Sequence, residues 1–404
     1  MKHALSEASL PRGFRFAAVA CGLKKTGALD LAILSSDLPA FAAAVFTQNL
    51  VAAAPVLICR KHLRASKGHM RAVVVNAGNA NCATGTQGHA AAERTVAEAA
   101  KRLGCPTQEV FVCSTGVIGV QLPVEKILRA LPKLSRNRRP SARSFAEVSL
   151  AICTTDTRPK TAAASLKIAG KRIHLAGCAK GAGMIHPNMA TTLAFVVTDA
   201  TIAPALLQRT LKEVTARTFN SISIDGDTST NDTLLVLANG AAGAPAIRSG
   251  TSAHRAFTAA LEDVCRSLAL QIVADGEGAQ RVIEIAVRGA KTESAARRIA
   301  ETIATSPLVK TAFAGGDPNW GRIFAAAGRS GVRFDPALVD ITMAGIPVLR
   351  RGQPLDFNER AASNKLLAEH VPIVMDLHAG KSAARYWTCD LTAEYVRINA
   401  SYRT

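Results

Sequence analysis

The run Lys180-Gly181-Ala182-Gly183-Met184-Ile185-His186-Pro187-Asn188-Met189-Ala190-Thr191-Thr192-Leu193-Ala194-Phe195-Val196-Val197 joins a glycine-rich polar segment directly to an apolar strand. Two phosphate-loop readings fail on it. GxGxxG needs a third glycine where His186 stands, and the Walker pattern needs Gly-Lys-Ser/Thr at its end. What remains is a flexible segment ending at Ala190-Thr191, and two readings of it stay open. Thr191 can be an ordinary threonine at a strand start, where β-branched residues are favoured. It can also be a self-cleaving nucleophile. A strained turn then lets its hydroxyl attack the preceding carbonyl, the resulting ester hydrolyses, and Thr191 becomes a new N-terminus whose α-amine serves as base for its own hydroxyl. An α-amine titrates near about 7.7–8.0, so a useful fraction is unprotonated around neutrality.

On either side of this run the chain alternates helical and extended patterns. Apolar residues at helical spacing predict helices over His89–Leu103, Thr201–Ala216, Ser252–Leu270 and Glu293–Ala304. Gly104 suits a C-terminal cap and Pro204 a first turn. Short β-branched runs predict strands at Ala72–Val75, Val110–Val112, Leu193–Val197, Ile222–Ile224, Leu234–Leu237 and Val282–Val287. Mixed order of this kind indicates layered α and β structure. The basic, polar stretch Lys133–Ser144 reads as an exposed loop.

Other polar, glycine-rich segments interrupt the apolar runs. Asn76-Ala77-Gly78-Asn79-Ala80-Asn81 reads as a sharp structural turn. Cys113-Ser114-Thr115-Gly116-Val117-Ile118-Gly119 ends a strand with a Thr-Gly pair, which can present backbone N–H groups to a cavity as an oxyanion hole requires. Asp225-Gly226-Asp227-Thr228-Ser229-Thr230-Asn231-Asp232 invites a calcium reading. It fails, because Thr230 stands where the loop glycine belongs and Val236 where the final glutamate belongs; the acidic run can still order a site or bind a cationic group. Asp275-Gly276-Glu277-Gly278-Ala279 sets a carboxylate between glycines, free to approach a ligand or simply to sit in an exposed turn. Gly315-Gly316-Asp317-Pro318-Asn319-Trp320-Gly321-Arg322 carries one of two tryptophans, and the polar C-terminus Ile398–Thr404 is expected to fray.

Composition bounds the partners. With 404 residues, 48% apolar and 20% charged, a substantial core is expected and disorder is not. Length suggests two or three domains. Lys+Arg minus Asp+Glu is 49 − 30 = +19. The basic clusters Arg136/Arg138/Arg139/Arg143, Arg297/Arg298 and Arg350/Arg351 are far apart and lack interleaved aromatics, so solvated surface is the plain reading, with a polyanion-binding face as the other. Such a field would also steer an anionic substrate. The nine cysteines form no CxxC pair and the histidines no HExxH pair, so free buried thiols and no metal are expected. No apolar run reaches the roughly 18 residues of a membrane span and Met1–Pro11 lacks a signal-peptide core, so a soluble, cytoplasmic chain is expected.

Together these segments carry more than any one of them. The chain resembles the ornithine acetyltransferase family, also called glutamate N-acetyltransferase. The resemblance runs from Pro11-Arg12-Gly13-Phe14 through Val45-Phe46-Thr47-Gln48-Asn49, Asn76–Asn81, Ser114–Gly119, Thr154-Thr155-Asp156-Thr157, Lys180–Thr191, Asp225–Asp232, Asp275–Ala279 and Asp317–Arg322. It closes on Tyr395-Val396-Arg397-Ile398-Asn399-Ala400 and reaches the last residue. It implies an α/β fold: a layered α/β/β/α sandwich of the self-processing N-terminal-nucleophile-like type over residues 1–280, and a smaller C-terminal α/β domain over 281–404. It implies self-cleavage between Ala190 and Thr191 into chains 1–190 and 191–404, which stay together as a heterotetramer. Thr191 would be the nucleophile. Thr115 and Gly116 would form the oxyanion hole, and Thr154, Lys180, Thr191, Glu277, Asn399 and Thr404 would bind substrate.

The family reaction moves acetyl from N2-acetyl-L-ornithine to L-glutamate in arginine biosynthesis. It needs no cofactor, although some members also use acetyl-CoA as co-substrate. Three departures fall in the processing segment: Ala182 replaces a usual serine, His186 a usual alanine and Thr192 a usual methionine. Neither nucleic acid nor membrane is an expected partner. The readings set against this one are an aminopeptidase or amidase of the same fold, a basic nucleic-acid-binding protein and a catalytically silent relative.

Overall fold

The computed structural model describes residues 6–186 and 192–401; Ala190, Thr191 and Thr404 lie outside the described residues. In chain order the first part carries β1 (Phe14–Val19), β2 (Leu31–Phe46), α1 (Ala54–Ala65), β3 (His69–Asn79), α2 (Gly85–Leu103), β4 (Val110–Val117), α3 (Val124–Arg136), α4 (Ala142–Ala151), β5 (Lys160–Ile168), β6 (Lys171–Lys180), β7 (Leu193–Thr198), α5 (Pro204–Arg217), β8 (Ile222–Ser223), β9 (Thr233–Ala238) and α6 (Ser252–Ala274).

Eight of these strands make one sheet, in the order β4-β3-β2-β9-β7-β6-β5 with β1 paired to β2. The 16-residue β2 belongs to two halves of it. Its first part pairs with β1 and β3, and its second with β9. The register breaks between Ser35 and Ala40, across the exposed Asp37-Leu38-Pro39. Proline cannot donate to a ladder and such a break bends a strand. The two halves therefore face each other. Leu34, Val73, Val75 and Phe111 from one pack into the same cluster as Phe195, Val197, Leu235 and Leu237 from the other. Helix α4 adds Phe145, whose ring meets Phe16 edge-on at 4.9 Å.

The outward faces are covered by helices. Ala72, Val74, Val110 and Val112 pack against Ala92, Val96 and Ala99 of α2 and Ile127 and Leu131 of α3. On the far side Val196 and Val236 pack against Leu207 and Leu211 of α5 and Leu261 and Leu268 of α6. The layers run α/β/β/α, as the resemblance implied. The close fit of α6 on β6 explains Gly177, where a Cβ would lie 3.0 Å from both Leu268 and Val264.

The second part carries β10 (Val282–Ala290), α7 (Glu293–Ala304), α8 (Pro307–Ala314), α9 (Trp320–Gly328), β11 (Asp340–Met343), β12 (Ile346–Arg350), β13 (Gln353–Pro354), α10 (Glu359–Leu366), β14 (His370–Asp376), β15 (Ser382–Cys389) and α11 (Ala393–Ser401). Its seven-stranded sheet runs β13-β12-β11-β14-β10-β15-β8. Ile283, Ile285, Ile299, Ile303, Ile373 and Met375 form its core. Strand β8 comes from the first part and pairs in parallel with β15, Trp387 opposite Ile222, so this sheet draws on residues before 280 as well as after.

Two expectations are corrected. Lys133–Ser144 is a loop only over residues 137–141. α3 runs through Pro132 to Arg136 and α4 starts at Ala142, because Leu131, Leu134 and Phe145 are fully buried and outweigh the polar composition. Residues 398–401 belong to α11. The nine thiols are free, with Cys21 and Cys105 only half-buried. No helix among the described residues is long and apolar enough to cross a membrane.

Candidate active site

Strand ends and tight turns from both halves of the folded sheet meet at one place. Strand β4 ends in Thr115-Gly116 beside the end of β3. Gly116 has φ +130°, and a Cβ there would fall 2.4 Å from the carbonyl carbon of Gly78, so no other residue fits. The asparagine segment next to it is structural. Asn76 accepts a hydrogen bond from the Ser114 hydroxyl at 2.6 Å, and Asn81 donates to the Gly88 carbonyl at 2.8 Å. Asn231, from the acidic run, donates to the carbonyls of Ala80 (2.6 Å) and Ser114 (2.8 Å) and ties the end of this segment to β4.

Strand β6 delivers Lys180 to the same spot. Its ammonium donates to the Thr115 hydroxyl at 3.1 Å. The chain then turns at Gly181, φ +154°, whose N–H donates to Asp156 Oδ1 at 2.6 Å. Asp156 also accepts from the Thr154 N–H at 2.9 Å, which fixes the Thr154-Thr155 corner. Behind it lies a fully buried ammonium: Lys160 bridges Asp156 and Asp275, each at 2.6 Å. Burial alone would raise the Asp156 carboxyl, but Lys180 and Lys160 outweigh it and hold the group below the usual range.

The Asp275-Gly-Glu-Gly turn brings Glu277 in from the end of α6. Its N–H donates to the Ala182 carbonyl at 2.8 Å. Glu277 Oε2 accepts from Asn399 on α11 at 2.8 Å. A Cβ on Gly183 would lie 2.5 Å from that oxygen, so the glycine makes room for the carboxylate. The next residues, Met184 and Ile185, donate their N–H groups to Asp225 at 2.6 and 2.8 Å, and the Tyr395 hydroxyl donates to the same carboxyl at 3.2 Å. Burial nonetheless pushes Asp225 above its ordinary value, the backbone N–H groups opposing it.

Thr115, Gly116, Thr154, Lys180, Glu277 and Asn399 thus line a single cavity of about 130 Å³. Thr192, the residue that follows Thr191, lines it too. Its carbonyl accepts from the Thr233 N–H at 2.8 Å, and its hydroxyl donates to the Lys180 carbonyl. The Cys113–Gly119 segment and the glutamate turn therefore reach the cavity; the Asn76–Asn81 segment, mostly the end of β3 rather than a turn, supports it and adds Ala80 to its wall. Ala190, Thr191 and Thr404 fall outside the described residues.

The sequence reading missed Lys160 and Asp275 as a buried ion network, and Asp232 as a cavity group. Asp232 is 2% exposed and Oδ2 has no hydrogen-bond partner among the described residues. Burial pushes its carboxyl well above the ordinary range, with a Ser229 hydrogen bond and the Lys180 charge opposing. Only the dense acidic run hinted at it. The site supplies a cation, a carboxylate, an amide and hydroxyls around a small space, a set complementary to a zwitterionic amino acid rather than to a polymer. Among the described residues no group of three or more His, Cys, Asp or Glu could hold a metal.

Comparison with known proteins bears on the chain as a whole. The chain matches the ArgJ family over residues 15–404. An arginine biosynthesis bifunctional protein from Thermus thermophilus is 51% identical over 98% of this chain and 99% of its own. One from Lactococcus lactis is 48% identical over the whole of both chains. The crystal structure of an arginine biosynthesis bifunctional protein from Bacillus halodurans is 44% identical over 52% of this chain and 98% of that one, with a TM-score of 0.51. This chain belongs to the ArgJ family.

Proposed function

We propose that the protein transfers an acetyl group from N2-acetyl-L-ornithine to L-glutamate in arginine biosynthesis, through an acetyl ester on Thr191. The observation that carries this reading is the cavity itself: Thr115-Gly116, Lys180 and the Glu277–Asn399 pair converge on one small space whose wall includes Thr192. Thr191 becomes available when the chain cuts itself at Ala190–Thr191. The half-length Bacillus halodurans chain supports such a cut, being what one product of it would be.

The chemistry then runs in two balanced halves. The Thr191 hydroxyl attacks the acetyl carbonyl and its proton passes through the α-amine to the leaving ornithine nitrogen. The glutamate amine next attacks the ester and returns a proton to the threonine oxygen. Thr115 and Gly116 stabilise the tetrahedral oxygen, a role in which loss of one donor typically costs about 10²–10³ in rate. Lys180 balances a substrate carboxylate. Glu277 and Asn399 receive an ammonium group, with Thr154 and Thr404 completing the pocket. Donor and acceptor share an amino-acid core, so one pocket serves both in turn and kinetics are ping-pong. No cofactor takes part, and acetyl-CoA is an alternative acetyl donor. The protein acts in the cytoplasm as a heterotetramer of two 1–190 and two 191–404 chains, the boundary near 280 separating its two domains.

The deciding experiment is the denatured mass of the purified protein with a glutamate-dependent acetyl-transfer assay. Two fragments breaking at Ala190/Thr191, absent in Thr191→Ala, with transfer to glutamate, are expected. Hydrolysis without transfer would instead identify an amidase of the same fold.

A further inference from the structure

His186, the last described residue before the processing bond, is gripped by the second part of the molecule. Its Nε2 lies 3.2 Å from Glu301 Oε1 on α7. Its Nδ1 lies 3.3 Å from the Ser223 hydroxyl and 3.5 Å from the Tyr386 hydroxyl. Both hydroxyls have already spent their protons. Ser223 donates to the Ile185 carbonyl at 3.0 Å and Tyr386 to the Ile222 carbonyl at 2.9 Å. Among the described residues these three neighbours therefore each offer the ring a lone pair.

The remaining charges around it agree. Glu301 stays ionised: the His186 hydrogen bond pulls its carboxyl down against burial, with help from Arg298 and Arg297. Arg298 stands 3.9 Å from the other Glu301 oxygen. Arg297 is spent on the carbonyls of Ala216, at 2.5 Å, and Asn220. The side chains of His186 and Glu301 are only 20% and 28% exposed, so solvent screens the pair weakly.

The backbone on this flank is also held. The Ile185 carbonyl accepts from the Ile224 N–H at 2.7 Å and the His186 carbonyl from the Thr228 hydroxyl at 2.9 Å. We infer that the His186–Glu301 contact is a positioning clamp for self-cleavage, holding His186, upstream of the Ala190–Thr191 bond, against α7. This rests on the self-cleavage reading above.

The test uses full-length precursor made by cell-free synthesis, followed by denatured mass. His186→Gln and Glu301→Gln keep hydrogen-bonding groups and break the imidazole–carboxylate contact. Each is expected to cleave about three- to tenfold more slowly than the unaltered chain, and the double variant no more slowly than either alone, because one contact is lost once. Circular dichroism and the melting temperature establish that the variants fold. Unaltered rates in both folded variants, or losses that simply add in the double variant, overturn the clamp and leave self-cleavage standing. An unaltered chain that stays whole, like Thr191→Ala, overturns both.

Discussion

At Gly183 one added carbon would meet the Glu277 carboxylate at 2.5 Å. That oxygen is the tip of a side chain, so it can swing away, at the cost of its bond to Asn399. Gly183→Ala is expected to melt close to the unaltered protein while KM rises about tenfold, the loss of roughly one charge-assisted hydrogen bond. An unchanged KM would remove Glu277 from the binding role. Gly116→Ala differs in kind. The added carbon strikes the Gly78 backbone, which cannot swing, and φ +130° is strained for any side chain. A loss of about 2–4 kcal/mol in urea unfolding is expected, and less than 1 kcal/mol would mean the β3–β4 ends are looser than described. Asp232 gives a pH signature. Its folded value lies above its unfolded one, so folding favours the neutral acid. The contribution to stability is present below the unfolded value of 3.8 and falls as pH rises from there. Asp232→Asn cannot ionise, so its melting temperature relative to the unaltered protein is expected to climb from pH 4 to 7. A flat difference would show that the carboxyl is already relieved.

Among the elements, the join of β5 to the end of α6 rests on Lys160 between Asp156 and Asp275. Lys160→Met leaves two carboxylates facing each other in the interior, where breaking one buried pair costs about 3–5 kcal/mol. A urea-unfolding loss at neutral pH below about 1 kcal/mol would show that water reaches them. This network was not legible in the sequence, because its partners lie 115 residues apart and only the fold makes them neighbours. Locally encoded features were legible. Glu293–Ala304 is α7 to the residue, and Gly104 caps α2 in the left-handed region with φ +64°. The end of α3 and the start of α4 were misread because Lys133, Arg136, Arg138, Arg139 and Arg143 dominate the composition of that stretch, while the buried Leu131, Leu134 and Phe145 decide the structure. The bend in β2 was equally hidden. Its cause is a proline among exposed residues, but its meaning, two halves of one sheet facing each other, depends on partners far away in sequence. Site residues carried by motifs, such as Thr115, Lys180 and Glu277, were named from the sequence; their mutual distances were not.

For the whole molecule, sheet order makes a demand on the proposed cut. Strands β1 to β6 would belong to the first fragment, β7 and β9 to the second. In the sheet, β7 and β9 lie side by side in the interior, flanked by β2 on one side and β6 on the other. Both flanking pairings are full six-residue ladders, β2 to β9 and β6 to β7. The cores on either face mix the fragments as well: Val75 and Phe111 pack with Phe195 and Leu237 on one, and Ala43 and Leu175 with Leu211 and Leu261 on the other. Separating the fragments would unpair the centre of the sheet and expose both cores, which amounts to unfolding rather than dissociation. The cleaved protein is therefore expected to run as one species in native size exclusion at any dilution, and to give two masses only after denaturant. A native concentration series in which the fragments part would mean that the central ladders do not survive cleavage.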